Sequence, residues 1–378
     1  MFFFTFSFTF LVSYLVFFKL SKKLEIDENL FNLFYFSKFL FLLIFIVLNT
    51  NNLMTTDSKS IFDDYYKFQL NNKLVGDNLL YGINYFFTKF LNLNYISINT
   101  LTIFPIILAT LFLLHLIQKI NFLKIRVLFY FLLLLPSFNF WTVGLSKDML
   151  SFFALSYFLF NLFYQKRYSI IFSVFLIFII RPYISFIIII SFILSYGIFF
   201  ILNLNKQALI FRYKNLISIF IQAITILIIL IILYYILSNY LGSYGFLFLK
   251  GKFLPIIGNL QSHYQNTPLG IPAETNIFLR YFYYLFYPFP WSNLNGNILM
   301  FIMTIENLLL MLLFFFVIVN NNLDNYKNFY LFFGIISFLT IFFLLALVTS
   351  NLGIAFRQKW LFLPYIFLLI VISKKKSP

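Results

Sequence analysis

Cysteine is absent from the 378 residues, so the chain forms no disulfide and offers neither a thiol nucleophile nor a thiolate metal site. That removes thiol redox chemistry without fixing a compartment. Charge is scarce too: Asp, Glu, Lys and Arg together make up 10% of the residues, against 62% hydrophobic ones. A soluble globule is excluded on that ground, because no water-facing surface can be assembled from what remains. Acidic residues number 11 against 27 basic ones, a formal charge of +16. In a soluble chain this balance would point to nucleic acid. In a membrane protein Lys and Arg gather in cytoplasmic loops for reasons of insertion, and no nucleic-acid partner is expected. Also missing are a Gly-rich phosphate loop, a zinc motif, a nucleophile elbow and any internal repeat. The run 2–18 has no basic flank before it and no small-residue cleavage site after it, which reads as a retained span and not a signal peptide.

What is present is a series of long Phe, Leu and Ile runs with the few charges in the gaps. The 60 Phe, with abundant Ile, Asn, Lys and Tyr, fit an AT-rich coding bias and carry little functional information. A bilayer core of about 30 Å takes roughly 20 apolar residues as a helix, and the runs near that length predict an all-α polytopic integral membrane protein of about 11 transmembrane helices. They lie near 2–18, 30–48, 100–117, 127–144, 149–164, 168–180, 183–202, 216–237, 298–319, 329–348 and 361–373. Gaps holding Lys19, Lys22 and Lys23, Lys119, Lys124 and Arg126, Lys166 and Arg167, Lys206, Arg212 and Lys214, Lys327, and Lys374, Lys375 and Lys376 read as cytoplasmic, which places the C-terminus there. The other gaps face outward, two of them long. Outer loop 49–99 carries a surface amphipathic helix near 78–92, with Asp77 as its N-cap and Leu79, Leu80, Ile83, Phe86, Phe87, Phe90 and Leu91 on one face. Outer loop 238–297 holds half of the prolines and is shaped by turns and aromatic contacts.

The runs ending at Arg181 and starting after Lys359 contain only about 13 apolar residues each, roughly 20 Å, so their cations are expected below the lipid surface. A charge at that depth is costly unless it faces a water-filled cavity or meets an anion. Lys147, Asp148, Arg181, Arg357 and Lys359 are therefore expected to line one recessed, outward, cationic cavity suited to a phosphate, with Arg280 as a further phosphate ligand. The plainer reading makes Arg181 a snorkelling side chain beside Pro182, Asp148 a helix cap, and Arg357 and Lys359 interfacial anchors.

Asp63 and Asp64 follow the second run, where a carboxylate can take the proton from a sugar hydroxyl as it attacks an activated anomeric carbon. Nearby cations would stabilise the departing phosphate. The alternative is a pair of solvated loop acids. Two adjacent acids without further ligands make a weak metal signal; no metal site is assigned, and a divalent cation stays an open option. Glu306, inside the ninth run, needs a buried partner, for which Lys38 or an outer Arg is the expectation, and a structural ion pair is its plainer reading. His115 reads as an interface residue and His263 is open to either reading. The stretch from Arg280 to Trp291, rich in Tyr and Phe, either stacks sugar rings or forms an aromatic belt.

Three segments carry a resemblance: Pro136 to Asp148 (PSFNFWTVGLSKD), Pro288 to Trp291 (PFPW) and Asn351 to Lys359 (NLGIAFRQK). They resemble bacterial membrane proteins of surface-polysaccharide gene clusters, and the early loop with Asp63, Asp64 and a downstream surface helix is similar to GT-C glycosyltransferases and to O-antigen or exopolysaccharide polymerases. The resemblance implies an outer-loop acid as base, mapping onto Asp63 or Asp64, a polyprenyl-phosphate sugar donor, and outward arginines on a lipid pyrophosphate, mapping onto Arg181 and Arg357. In those enzymes the acid follows the first span, whereas here it follows the second.

The preferred expectation is glycosyl transfer in surface-polysaccharide assembly on the outer face of a bacterial cytoplasmic membrane, with a polyprenyl-linked sugar or oligosaccharide as partner. A lipid or polysaccharide flippase is the alternative. It needs a pathway across the whole bilayer, which only Glu306, Lys38 and His115 would mark. A third reading is a scaffold bound to other glycan-assembly proteins.

Overall fold

The computed structural model describes residues 2–51, 57–66, 77–120, 123–203, 277–287, 301, 304–312, 329–349 and 352–372. The run 216–237, most of the loop 238–297 with His263 and Trp291, and most of the run 298–319 lie outside the described residues. No strand occurs among those described.

Helices α1 (Phe2–Lys23) and α2 (Glu28–Thr50) form a hairpin, with Asp27 capping α2 by accepting from the Leu30 N–H. Rings interlock along it: Phe10 meets Tyr35 and Phe39 edge-on, and Tyr14 meets Tyr35 in the same way. The buried Tyr35 hydroxyl, which hydrocarbon would leave unsatisfied, donates to Phe10 O at 2.6 Å and meets Ser13 Oγ at 2.7 Å. The opposite face of α1 exposes Phe8, Leu11 and Leu15 at helical spacing, a stripe suited to lipid.

Next come the short α3 (Asp57–Asp63) and the amphipathic α4 (Asp77–Lys89), which packs on α3, burying Leu80 and Asn84 while Phe86, Phe90 and Leu91 stay exposed. Helices α5 (Tyr95–Leu101) and α6 (Ile103–Gln118) follow end to end. Then α7 (Leu123–Leu134), α8 (Pro136–Thr142), α9 (Lys147–Phe163), α10 (Arg167–Ile180) and α11 (Pro182–Asn203) run in succession. The remaining described helices are α12 (Ile277–Phe286), α13 (304–312), α14 (Phe329–Val348) and α15 (Leu352–Ile372).

The centre of the molecule is α9, wrapped by α6, α10, α14 and α15. Phe158, Leu159 and Leu162 meet Phe338 and Leu369 in the common core, where Ser156 and the Tyr365 hydroxyl satisfy each other at 3.0 Å. Gly334 lets α14 approach closely: a Cβ there would come within 2.9 Å of Leu162 and 3.0 Å of Leu369.

Among the described residues, three helical stretches are long and apolar enough to cross a membrane: Glu28–Thr50, Tyr95–Gln118 and Phe329–Ala346. The pair α7 and α8, bent by 54°, makes a fourth if it counts as one span. The chain is a helical membrane protein. Two helices depart from the runs read along the sequence. The run 127–144 is not one helix: Leu135 is extended (φ −58, ψ 137) and Pro136 starts a new helix, because proline has no N–H for the preceding turn and disfavours helical geometry in the residue before it. The last helix begins at Leu352, not after Lys359, and at 21 residues is not short. Arg357 and Lys359 therefore sit inside a helix, and the depth argument from a short run does not apply to them. α10 is short, as its run length indicates: its 14 residues end at Ile180, just before Arg181.

Candidate functional site

The break at Pro136 frees carbonyls at the end of α7. Asn139 satisfies two of them, its Nδ2 donating to Leu133 O at 2.9 Å and to Leu135 O at 3.0 Å. After α8 the chain turns through Val143–Ser146, where Gly144 has φ +73 and lies so close to Phe45 that any Cβ would overlap that ring. Leu145 N–H donates to Asn99 Oδ1 at 2.8 Å, and Ser146 caps α9 by accepting from Met149 N–H at 3.1 Å. These constraints fix where the first turn of α9 presents Lys147 and Asp148.

Asp148 is 9% exposed and meets two arginines, one from the junction of α10 and α11 and one from α15. Arg181, the residue between α10 and α11, donates from Nη2 to Asp148 Oδ1 and from Nη1 to the Tyr183 hydroxyl at 3.0 Å. Its Nε is buried with no acceptor among the described residues. Arg357, on the second turn of α15, places Nη1 3.9 Å from Asp148 Oδ2 and its guanidinium 4.9 Å from the centre of the Trp141 ring. Two cations thus surround one carboxylate, with the half-buried Lys147 on the adjacent residue. A guanidinium pair with an excess positive charge and an unspent buried donor can bind a phosphoryl group through several oxygens.

Lys359 does not join this group. It is fully buried and donates to Tyr287 O at 3.2 Å and to Asn307 Oδ1 at 3.3 Å. Between the two cations, Gln358 accepts from the Tyr284 hydroxyl at 3.1 Å and from Thr349 Oγ1 at 2.7 Å. Three successive residues of one helix point about 100° apart and so reach three different surroundings. Glu306 is not paired with Lys38: its Oε1 accepts from the Ser137 N–H at 2.9 Å, and Oε2 has no hydrogen-bond partner among the described residues. Lys38 instead donates to Thr142 Oγ1 at 3.0 Å, with the rings of Phe138 and Phe152 on its flanks.

Asp63 ends α3 and is exposed, lining an open cleft of about 320 Å³ with Thr50, Lys59, Phe62, Asn94, Tyr95 and Ile96. Asp64 accepts from the Tyr66 hydroxyl at 3.3 Å. The cleft shares no lining residue with the arginine pair. A thin polar thread joins the two regions: Ser58 of α3 meets Asn99 Oδ1 at 3.5 Å, and that oxygen also holds Leu145 N–H. Arg280 lies on α12, but its side chain, like Trp291 and His263, falls outside what is described. No group of three or more His, Asp or Glu side chains suited to a metal occurs among the described residues.

Trp141, Tyr183 and Asn99 belong to this region without having been singled out as site residues. A tryptophan six residues before the Lys147–Asp148 pair gives no sign in the sequence that it will meet a cation from α15. Comparison with protein-family models, with characterised proteins and with solved structures gives no match.

Proposed function

We propose that this chain catalyses glycosyl transfer in surface-polysaccharide assembly, with a polyprenyl-phosphate or pyrophosphate-linked sugar donor. The observation that carries the reading is the convergence of Arg181 and Arg357 on Asp148 beside the Trp141 ring. A buried charge cluster is a poor way to gain stability alone, since well-packed apolar residues commonly do as well or better, so two guanidiniums gathered at one carboxylate suit an anionic ligand.

On this reading the eleven-span topology puts the arginine pair toward the outer face of a bacterial cytoplasmic membrane, with the C-terminus cytoplasmic. An acceptor hydroxyl oxygen forms its bond to the anomeric carbon while the bond from that carbon to the phosphate oxygen breaks. The electron pair leaves with the phosphate, which Arg181 and Arg357 stabilise, and the hydroxyl proton passes to Asp63 or Asp64. The anomeric carbon carries both the incoming hydroxyl and the departing phosphate, so on this reading the Asp63 or Asp64 carboxylate and the arginine pair must come within one sugar residue of each other around the bound donor.

The test is the surface polysaccharide of cells lacking this chain. Wild type restores its amount and length, whereas Arg181→Met and Arg357→Met do not. Polysaccharide unchanged by the deletion contradicts the proposal.

A further inference from the structure

The half-helix α8 is gripped at both ends by buried ionisable side chains from elsewhere in the chain. At its start Glu306, 1% exposed, accepts from the Ser137 N–H, one of the backbone donors that a helix N-terminus leaves without an internal partner. At its end Lys38, 0% exposed, donates to Thr142 Oγ1. The hydroxyl proton of Thr142 is already given to Phe138 O at 2.7 Å, which leaves the oxygen free to accept from lysine. The signs also suit the helix: a carboxylate at the positive end and an ammonium at the negative end. Phe138 and Phe152, themselves edge-to-face at 5.3 Å, close over the amine at 4.7 Å and 5.2 Å. The grip therefore ties α2 and α13 to α8 and reaches the first turns of α9.

Besides the two ionisable side chains, α8 is held by Phe138 packed on Phe152, by Phe140 against Phe45 and by the Asn139 bonds to the end of α7. Its seven residues are too few to be stable as an isolated helix, and the break at Pro136 removes continuity with α7. Yet it carries Trp141, next to Thr142, and Trp141 supplies the face on which Arg357 rests. We infer that Lys38 and Glu306 are positioning residues: they clamp α8 so that Trp141 fixes the Arg357 guanidinium beside Asp148. The clamp is a claim about geometry. Its consequence for phosphate binding rests on the function proposed above.

The test uses the full chain in lipid nanodiscs with Trp291→Phe and Trp360→Phe, which leaves Trp141 as the only tryptophan of the three. Lys38→Met is expected to raise acrylamide quenching of Trp141 about twofold, as a local loosening does, with Lys38→Arg restoring the shielding. Thr142→Val removes the acceptor without removing the amine and is expected to give the same change, which keeps the claim testable if Lys38→Met does not fold. Glu306→Leu loosens the other end. Titration with undecaprenyl phosphate, read from Trp141 emission, is expected to show about tenfold weaker binding in Lys38→Met than in the parent, as misorienting one phosphate-binding guanidinium does. Quenching unchanged in folded Lys38→Met and in Thr142→Val overturns the clamp. A parent that does not respond to undecaprenyl phosphate while Lys38→Met still loosens Trp141 leaves the clamp standing and counts against the phosphate reading alone.

Discussion

Arg357 rests its guanidinium 4.9 Å from the centre of the Trp141 ring while one of its nitrogens stands 3.9 Å from Asp148. The ring restrains the plane of the guanidinium, and the carboxylate contact is long, so Arg357 is oriented more firmly than it is neutralised. Arg181 is the reverse: it is bonded directly to Asp148 and more deeply enclosed. One arginine is bonded to the carboxylate, and the other stands beside it with its plane set by the Trp141 ring.

Replacing Arg357 separates these contributions. Lysine keeps the charge but loses the planar stack and the forked donors, so Arg357→Lys is expected to weaken undecaprenyl phosphate binding about tenfold, and Arg357→Leu more than that. An affinity of Arg357→Lys equal to that of wild type in a nanodisc titration would show that orientation on Trp141 does not matter.

Removing the shared anion has the opposite sign. Asp148→Asn leaves Arg181 buried without its carboxylate and is expected to cost about 3–5 kcal/mol of stability, seen as a lower thermal midpoint. A bound phosphate replaces part of the lost charge, so undecaprenyl phosphate should raise the midpoint of Asp148→Asn more than that of wild type. A smaller rise in the variant would contradict the arrangement.

The turn before α9 has a steric test. Gly144→Ala places a side chain where φ is +73 and where the Phe45 ring already stands, for a cost of about 1–3 kcal/mol. Shortening the ring in Phe45→Leu should recover the overlap but not the backbone strain, so thermal unfolding of the double variant should fall between wild type and Gly144→Ala.

Asn139 provides a test of the break itself. Asn139→Leu removes the side-chain donor to Leu133 O, whose loss costs about 1–3 kcal/mol, whereas Leu135 O keeps the Asn139 N–H at 3.0 Å. Wild-type stability in this variant would mean that α7 ends in some other way.

Much of the helix order was legible from apolar run lengths: α2, α9, α10, α11 and α14 begin and end close to the expected residues. What hydropathy misread has two causes. Pro136 lies within an unbroken apolar run, so a count of apolar residues passes over a helix break that depends on a missing N–H. Arg357, Gln358 and Lys359 end an apolar count, yet they continue a helix because each meets polar groups of a neighbouring element. Asp148 and Arg181 are grouped in the sequence by the short run before Arg181, whereas Arg357 meets them from within a long helix that the run lengths do not give. Lys359 enters the same group on a short apolar run after it, a run that the 21-residue helix Leu352–Ile372 replaces. The partner of Glu306 was hidden for another reason: it is a backbone N–H, and no list of side chains contains it.

The central claim, glycosyl transfer from a lipid-linked donor, is tested most directly by mass spectrometry of polyprenyl-linked glycans. The cells lack this chain and are complemented with wild type, with Arg181→Met plus Arg357→Met, or with Asp63→Asn plus Asp64→Asn. The account predicts that single repeat units or truncated glycans accumulate in the deletion and in both double variants, and that wild type clears them. A lipid-linked pool that is the same in all four strains would contradict it.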